Sequence, residues 1–275
     1  MEELASVGDL RICWSALGDP AAEPMVLVMG LGFQLVHWPD GLCRSLADAG
    51  YRVIRFDNRD AGRSTHLPGA RYTLSDLAGD TAGLLDVLGI GSAHVVGASM
   101  GGMIAQVLAV EHPERVRSLA SLMSTTGRRG VGGTSWRVLR HALSRRPRTV
   151  EEAVERRVRV FRSVGSTGFP HDVEELRGAN RLAYERDGDA RGGRRRQHRA
   201  VRAAGDRTEA LRRVSVPTVV VHGTADRMCA VSGGRATAAA IPGARLELIE
   251  GMGHDLPPGV WPRIVGAVAA NAARA

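Results

Sequence analysis

The chain has 275 residues, of which 44% are hydrophobic and 24% charged, and it carries a net charge of +8. This size and composition are typical of one globular domain with a substantial core, with or without a large insertion. No apolar run reaches the roughly 18 residues of a membrane span. The start, "MEELASVGDLR", lacks the basic and apolar stretches of a signal peptide. We therefore expect a cytoplasmic protein with no membrane span, whose oligomeric state composition leaves open.

The basic charge is concentrated in one segment. All 37 basic residues are arginines, and 23 of them lie in residues 127–213 against 11 acidic residues, a net charge of +12. Nucleic-acid-binding proteins usually combine a basic stripe with a recognisable motif or stacking aromatics. Aromatic residues make up only 4% of this chain, so we expect no nucleic-acid partner.

The three cysteines, Cys13, Cys43 and Cys229, are widely spaced along the chain. Their spacing matches neither a disulfide framework nor a metal-binding pair. We therefore expect packing residues, because free cysteine behaves as a small hydrophobic side chain, and we expect no metal site.

Short apolar runs alternate with helical patterns along most of the chain. The pair Thr73/Asp76 resembles a capping box at the start of one helix, and a second helix runs from Met100 to a stop at Pro113. A C-terminal helix follows Pro257. The apolar runs predict six buried strands, which begin at Met25, Tyr51, Ala93, Arg117, Pro217 and Ala244. This alternation predicts an α/β fold with a mostly parallel central sheet flanked by helices.

Residues 127–213 interrupt the alternation. The segment has no clear strand and is rich in arginine and glutamate, and stretches such as "TVEEAVERRVRVFRSV" predict helices. We expect a core made of residues 1–126 and 214–275, with 127–213 inserted as a helical cap over the carboxyl edge of the sheet. Weak periodicity in residues 186–207 leaves open whether that stretch is ordered.

The stretch "HVVGASMGG" contains a candidate nucleophile. Gly97, Ser99 and Gly101 match the pattern G-x-S-x-G between an apolar strand and a helix, which is the context that this motif requires. So tight a turn tolerates only small residues two positions from the serine. The start of the next helix supplies N–H groups and a positive dipole for developing negative charge. The pattern predicts that Ser99 is a nucleophile.

A nucleophilic serine needs a base, and the base needs an orienting acid. Asp226 follows the apolar run "VVVHG", and His254 follows "LELIEG" in a glycine-rich loop. Both therefore fall at the same sheet edge as Ser99, in the chain order nucleophile, acid, histidine. We predict that Asp226 and His254 act with Ser99, and that His222, within a strand end, is structural.

The predicted oxyanion hole uses two backbone N–H groups, one directly after the nucleophile and one in an early loop. Met100 follows Ser99, and Leu31 follows Gly30 in the loop "MGLGFQ". Glycines in that loop allow the backbone to approach a substrate closely. We predict the N–H groups of Leu31 and Met100 as the donors, with Gly30 shaping the loop.

Taken together, the motifs "GASMGG", "MGLGF", "FDNRDAGRST", "HGTADRM" and "GMGHDLP" resemble the α/β-hydrolase superfamily over nearly the whole chain. Among its members the chain is similar to actinobacterial esterases of the aclacinomycin methylesterase type, which share the Met-Gly loop, the following Trp38-Pro39 and the ending GMGH. The resemblance implies a helical cap after the sixth strand. It also implies the roles of several residues: a triad of Ser99, Asp226 and His254, oxyanion donors Leu31 and Met100, and a loop-supporting cluster of Asp57, Arg59, Gly62 and Ser64.

One stretch departs from this resemblance. The run "RGGRRRQHRAV" places charges where related cap helices are apolar on one side. We therefore draw no conclusion about the substrate from the cap of the related enzymes.

The predicted activity is hydrolysis of a carboxylic ester, such as a methyl ester of a hydrophobic small molecule, through an acyl-enzyme on Ser99 and without a cofactor. Thioester, lactone or carbon–carbon bond hydrolysis would use the same groups and stays open. Epoxide and haloalkane hydrolysis would call for aspartate at position 99. A second class, a non-catalytic small-molecule-binding protein, is disfavoured because Asp226 and His254 are both kept.

Overall fold

The computed structural model describes residues 1–139, 149–187 and 190–275. Eight strands in these ranges form one sheet: β1 (Glu3–Val7), β2 (Leu10–Leu17), β3 (Glu23–Val28), β4 (Tyr51–Phe56), β5 (Ala93–Ala98), β6 (Val116–Leu122), β7 (Thr218–Gly223) and β8 (Arg245–Ile249). Their order is β1-β2-β4-β3-β5-β6-β7-β8. β1 and β2 pair antiparallel, as do β2 and β4, and all pairs from β4 to β8 are parallel. The predicted mostly parallel sheet is confirmed.

The six predicted strands correspond to β3–β8, and the N-terminal pair β1 and β2 was not predicted. In β1, with the sequence ELASV, only Ala5 is buried. An edge strand that buries one side chain in five carries almost no apolar periodicity, so the sequence pattern does not reveal it. A turn at Gly8, whose φ is 53°, joins it to β2.

Five helices cover the two faces of the parallel strands. They are α1 (Asp40–Asp48), α2 (Leu74–Val87), α3 (Met100–Glu111), α9 (Ser232–Ala240) and α10 (Trp261–Ala272). In β3, Val26 and Val28 pack into the cluster that contains α2 and α3, whereas Met25 and Leu27 pack into the cluster with α1 and α10. Because successive strand residues point to opposite faces, a continuous apolar run is what a sheet covered on both sides needs.

The N-terminus of α2 has the predicted capping box. The hydroxyl of Thr73 accepts a hydrogen bond from the Asp76 N–H at 3.2 Å, and the Asp76 carboxylate accepts one from the Thr73 N–H at 2.8 Å. The exchange satisfies backbone donors that the first helical turn leaves unpaired. The start of this helix could thus be predicted from the sequence.

The described part of the segment between β6 and β7 consists of helices joined by loops. Its helices are α4 (Trp136–Leu139), α5 (Val150–Val164), α6 (Val173–Arg186), α7 (Ala190–Ala203) and α8 (Thr208–Leu211), and α9 (Ser232–Ala240) follows β7. The predicted helical insertion after the sixth strand is confirmed, and its exact limits at 127 and 213 stay a prediction. None of the described helices combines the length and apolar character needed to cross a membrane.

Most of the described part of the stretch 186–207 forms α7, and residues 188–189 lie outside the described ranges. The buried positions of α7 include Gly193, Arg196, Gln197 and Ala200, which lie on one helix face. Two of these four residues are polar. The buried face of α7 therefore leaves only a weak apolar pattern in the sequence.

Candidate active site

Ser99 lies on a strained turn between β5 and α3. Its backbone has φ 57° and ψ −119°, a conformation that non-glycine residues rarely adopt and that costs on the order of 1–3 kcal/mol. The turn is held by the Ser99 N–H, which donates to Leu122 O at 3.0 Å, and by the Ser124 hydroxyl, which donates to Ser99 O at 2.8 Å. Neighbouring structure thus maintains the strain.

Gly97 and Gly101 have no room for a side chain. A Cβ on Gly97 would collide with the carbonyl oxygen of Gly101, and a Cβ on Gly101 would collide with the carbonyl oxygen of Val28. The turn therefore packs β5, α3 and β3 together through bare backbone. This is the steric demand for which the sequence pattern predicts glycine at both positions.

The structure brings the side chains of Ser99, Asp226 and His254 together. His254 Nε2 lies 2.9 Å from Ser99 Oγ, and His254 Nδ1 lies 2.7 Å from Asp226 Oδ2. Ser99 follows β5, Asp226 follows β7 and His254 follows β8. Parallel strands end at one edge of a sheet, so residues far apart in the sequence meet there.

The carboxylate of Asp226 is held by hydrogen bonds on both oxygens. Oδ1 accepts from the N–H groups of Met228 and Cys229, both at 2.8 Å, and Oδ2 faces His254. Burial raises the pKa of Asp226, but His254, His222 and the Cys229 N–H outweigh it and lower the pKa to about 2. The group is therefore ionised at neutral pH. An ionised carboxylate only accepts hydrogen bonds, so the hydrogen of this contact lies on His254 Nδ1.

His222 has a role beside Asp226 that the sequence did not show. Its Nε2 lies 2.8 Å from Cys229 O and 3.5 Å from Asp226 Oδ2, and its side chain is fully buried. It packs under the loop that carries Asp226. The buried position is what a structural role for His222 predicts. The closeness of His222 to Asp226 could not be predicted from the sequence.

The depressed pKa of Asp226 makes a testable contribution to stability. A carboxyl whose pKa falls on folding stabilises the protein above its unfolded pKa, and the stabilisation disappears as pH drops toward the folded pKa. We expect about 2 kcal/mol from Asp226 at pH 6, of which about 1 kcal/mol is lost between pH 5 and pH 3. Urea unfolding of the wild type and Asp226→Asn at both pH values measures this. A stability difference that is the same at pH 5 and pH 3 would contradict it.

The early loop lies directly against Ser99. A Cβ on Gly30 would come within 3.1 Å of Ser99 Cβ, so only backbone separates the loop from the nucleophile. Leu31 follows Gly30, and Met100 is the first residue of α3. Both predicted oxyanion donors thus belong to segments that border Ser99.

The cap helix α7 holds this early loop in place. The Gly32 N–H donates to Gln197 Oε1 at 2.8 Å, and Gln197 Nε2 donates to Arg59 O at 2.8 Å. Gly32 has φ 68°, and the Arg194 side chain would lie 3.0 Å from a Cβ at this position. Sequence reasoning missed Gln197, because a single polar residue in an arginine-rich stretch carries no recognisable pattern.

The loop after β4 contains the predicted supporting cluster. Asp57 Oδ1 accepts from the Leu35 N–H at 2.7 Å, and the Ser64 hydroxyl donates to Asp57 O at 2.6 Å. Arg59 forms a two-point ion pair with Asp80, at 2.5 and 2.6 Å. The fourth member is Gly62, where a Cβ would collide with the Asp57 carboxylate.

Three cap arginines point inward, two of them to carboxylates of the core. Arg186 pairs with Asp57 at 2.9 Å, and Arg196 pairs with Asp60 at 2.6 and 2.8 Å. Arg207 donates to Thr125 O at 2.7 Å. These buried arginines connect the cap to the core. Arg186 and Arg196 are paired with carboxylates inside the protein, so part of the positive charge of residues 127–213 is neutralised internally.

The three cysteines are all buried and unpaired. Burial raises the pKa of Cys13 to about 12 and that of Cys43 to about 11. Both thiols are therefore protonated at neutral pH and behave as packing groups. Within the described ranges, no three His, Cys, Asp or Glu side chains are grouped in a way that could hold a metal ion.

Comparisons with known proteins agree with this architecture. The family model described as alpha/beta hydrolase fold matches residues 23–257. Rhodomycin D methylesterase of Streptomyces peucetius is 34% identical over 94% of both chains, and its counterpart in Streptomyces sp. strain C5 is 33% identical over the same share. Among solved structures, a hydrolase from Pseudomonas aeruginosa has a TM-score of 0.75 at 26% identity, covering 98% of this chain and 97% of its own. An enol-lactonase from Burkholderia xenovorans has a TM-score of 0.79 at 24% identity, covering 98% and 99%, and shows the fold alone.

The matched region contains every segment that borders Ser99, from β3 to the loop after β8. The methylesterases match over nearly their full length, so the likeness extends through the cap as well as the sheet. The resemblance inferred from the motifs is thereby confirmed. The chain belongs to the alpha/beta hydrolase fold family.

Proposed function

We propose that this protein is a serine hydrolase that cleaves a carboxylic ester with Ser99, His254 and Asp226 as its catalytic triad. The observation that carries the proposal is the unbroken chain of hydrogen bonds from Asp226 through His254 to Ser99 Oγ, at 2.7 and 2.9 Å. A hydroxyl, an imidazole and an ionised carboxylate in this order are what acyl transfer by serine requires.

In the proposed reaction, Ser99 Oγ attacks the ester carbonyl carbon while His254 Nε2 takes its proton. The tetrahedral oxyanion lies against the N–H groups of Leu31 and Met100, whose orientation is set before the substrate arrives. His254 then gives its proton to the leaving alcohol, which departs and leaves an acyl group on Ser99. Water, deprotonated by His254, releases the acid and restores the serine. These residues complete the reaction without a metal or cofactor.

We propose a methyl ester of a hydrophobic small molecule as the substrate. The two Streptomyces relatives are rhodomycin D methylesterases, which supports an ester with a small alcohol. The rings of Phe33 in the early loop and Phe161 on α5 pack edge to face with centroids 5.6 Å apart, which brings an aromatic side chain of the cap against the early loop. In this proposal residues 127–213 form the cap.

The alternatives left open by the sequence differ in the bond cleaved. Thioesters, lactones and activated carbon–carbon bonds would meet the same nucleophile and oxyanion donors. A non-catalytic binding protein would have no need for the His254–Ser99 contact at 2.9 Å or for the strained backbone of Ser99. Both features favour catalysis.

A panel of 4-nitrophenyl, methyl and thio-esters, assayed with the wild type and Ser99→Ala, tests the proposal. We expect turnover of esters by the wild type, none above background by Ser99→Ala, and covalent labelling of Ser99 by a fluorophosphonate, located by peptide mass spectrometry. Ser163→Ala is the control, because the Ser163 hydroxyl donates to Val160 O of its own helix and, among the described residues, makes no hydrogen bond to Ser99, Asp226 or His254. Absence of both turnover and Ser99 labelling in the wild type would contradict the proposal.

A further inference from the structure

The loop that carries His254 is attached to the cap as well as to the sheet. We call residues 250–256 the histidine loop and residues 164–168 the α5 end segment. The N–H groups of Thr167 and Gly168 donate to Gly251 O at 2.8 and 3.0 Å, and the His254 N–H donates to Val164 O at 2.8 Å. The last bond satisfies a carbonyl at the C-terminus of α5 that would otherwise lack a partner.

Ser166 joins the two segments through its side chain. Its hydroxyl donates to Asp255 Oδ1 at 2.7 Å and accepts from the Gly253 N–H at 2.9 Å. Its own N–H donates to the same Asp255 oxygen at 2.9 Å. The residues on either side of His254 are therefore both bonded to one buried serine of the cap.

His171 completes the attachment from the start of the next cap segment. Its Nδ1 lies 3.0 Å from Asp255 Oδ2, and its Nε2 lies 3.1 Å from Ser166 O. A carbonyl oxygen only accepts hydrogen bonds, so Nε2 carries a hydrogen. The contact between Nδ1 and the carboxyl group then needs one proton between them.

Asp255 is buried, with 6% of its side chain exposed. Burial raises its pKa, while Ser166, His171 and His254 act against that rise. These are the groups that face it, and His171 and His254 are the titratable ones among them. Breaking its hydrogen bonds would leave a buried carboxyl group without partners, which costs free energy. The contacts of Asp255 with Ser166 and His171 are therefore favoured to persist.

Glycines allow the segments to come this close. A Cβ on Gly253 would collide with the backbone of Gly165, and a Cβ on Gly165 would lie 2.6 Å from His171 Cε1 and 2.9 Å from Asp255 Oδ2. The backbones of cap and loop therefore touch directly beside His254. A small displacement of the cap at this point moves the imidazole.

We infer that Asp255 and Ser166, supported by His171, are positioning residues for His254: they fix the histidine loop to the cap so that the imidazole reaches Ser99 and Asp226 together. This inference rests on the proposed function. It makes the cap part of the apparatus that orients the base, in addition to covering the site. The three residues act on His254 indirectly: Ser166 bonds to its neighbours Gly253 and Asp255, and His171 contacts Asp255.

The test uses Ser166→Ala and Asp255→Ala in the full chain with 4-nitrophenyl butyrate as substrate. We expect kcat to fall by about 10- to 100-fold with KM changed by less than about threefold, because displacing a base by a fraction of an ångström slows the chemical step. The rate of Ser99 labelling by a fluorophosphonate should fall by the same factor. Ser163→Ala removes a hydroxyl three residues before Ser166, in the last turn of α5, and should keep the wild-type kcat.

Asp255→Asn is the conservative variant. Its amide oxygen can accept both Ser166 bonds, and its NH₂ can donate to the Nδ1 of a neutral His171, so no shared proton is needed. We expect kcat within about fivefold of the wild type and well above that of Asp255→Ala. Equal losses in Asp255→Asn and Asp255→Ala would overturn the positioning role.

Hydrogen–deuterium exchange of peptides that cover residues 250–256 gives a readout independent of activity. We expect faster exchange in Ser166→Ala and Asp255→Ala, with unchanged exchange in β5. Wild-type kcat and exchange in both variants, or a change in KM alone, would overturn the inference and leave the hydrolase proposal intact. If the wild type neither turns over an ester nor is labelled at Ser99, the hydrolase proposal fails, and exchange alone decides whether the cap holds the loop. If Asp255→Ala does not fold, Ser166→Ala decides.

Discussion

His254→Ala is expected to lower kcat for 4-nitrophenyl butyrate by about 10⁴-fold or more. Without the imidazole, the proton of Ser99 Oγ loses the acceptor that His254 Nε2 provides at 2.9 Å. KM should change little, since His254 is not proposed to bind the substrate. Steady-state kinetics with active-site titration measure both values. Urea unfolding of the variant checks that His254→Ala is folded like the wild type.

The control for this variant is His112→Ala. His112 follows α3, at the end of that helix opposite Ser99, and should retain the wild-type kcat. A His254→Ala protein that keeps more than about 1% of the wild-type kcat would show that another group serves as base.

Asp226→Asn separates orientation from proton transfer. Its amide oxygen would take the bonds from the Met228 and Cys229 N–H groups, which turns the NH₂ toward His254 Nδ1. That nitrogen must then accept, so the hydrogen moves to Nε2, and the imidazole can no longer take a proton from Ser99. We expect a loss of about 10³- to 10⁴-fold. A loss below about tenfold would contradict this tautomer argument.

Asp57→Ala is expected to destabilise the protein by about 3–5 kcal/mol. The substitution removes one of the two carboxylates that pair with the buried guanidinium of Arg186, Glu2 being the other, and it removes the acceptor of the Leu35 and Arg63 N–H groups. Because Arg186 belongs to α6, the lost pair also weakens the attachment of the cap. The free energy of unfolding from urea titration at pH 7 measures the effect.

The control is Asp40→Ala, which breaks an ion pair of Asp40 with Arg55 at 2.6 Å. The Asp40 side chain is 57% exposed, and pairs of this kind contribute at most about 1 kcal/mol. Equal destabilisation by the two substitutions would contradict the view that burial makes the Asp57–Arg186 pair important.

The grouping of the candidate site residues could be predicted because the proposed chemistry needs particular residues in particular local settings. Ser99 requires small neighbours on a strained turn, and that demand is visible as glycine in the sequence. Asp226 and His254 follow apolar strands, and parallel strands bring their carboxyl ends to one edge. Each of these relations joins a residue to its own local segment, so it leaves a pattern within a few positions.

The residues that hold the site together were not predictable in this way. Gln197, Arg186 and Arg196 lie in a stretch whose charges obscure the helix face, and their partners are more than 120 positions away. Ser166 and Asp255 are 89 positions apart. Nothing local distinguishes a serine or an arginine with a buried partner from one in water.

The α/β architecture, the strained position of Ser99 and the order in which its partners follow could be predicted from the sequence, because apolar periodicity and turn sterics act over short distances along the chain. The hydrogen bonds of the cap to the early loop through Gln197, and to the histidine loop through Ser166 and Asp255, became visible only in the folded protein. Those contacts depend on how two separate segments dock, and docking is set by the packed fold as a whole.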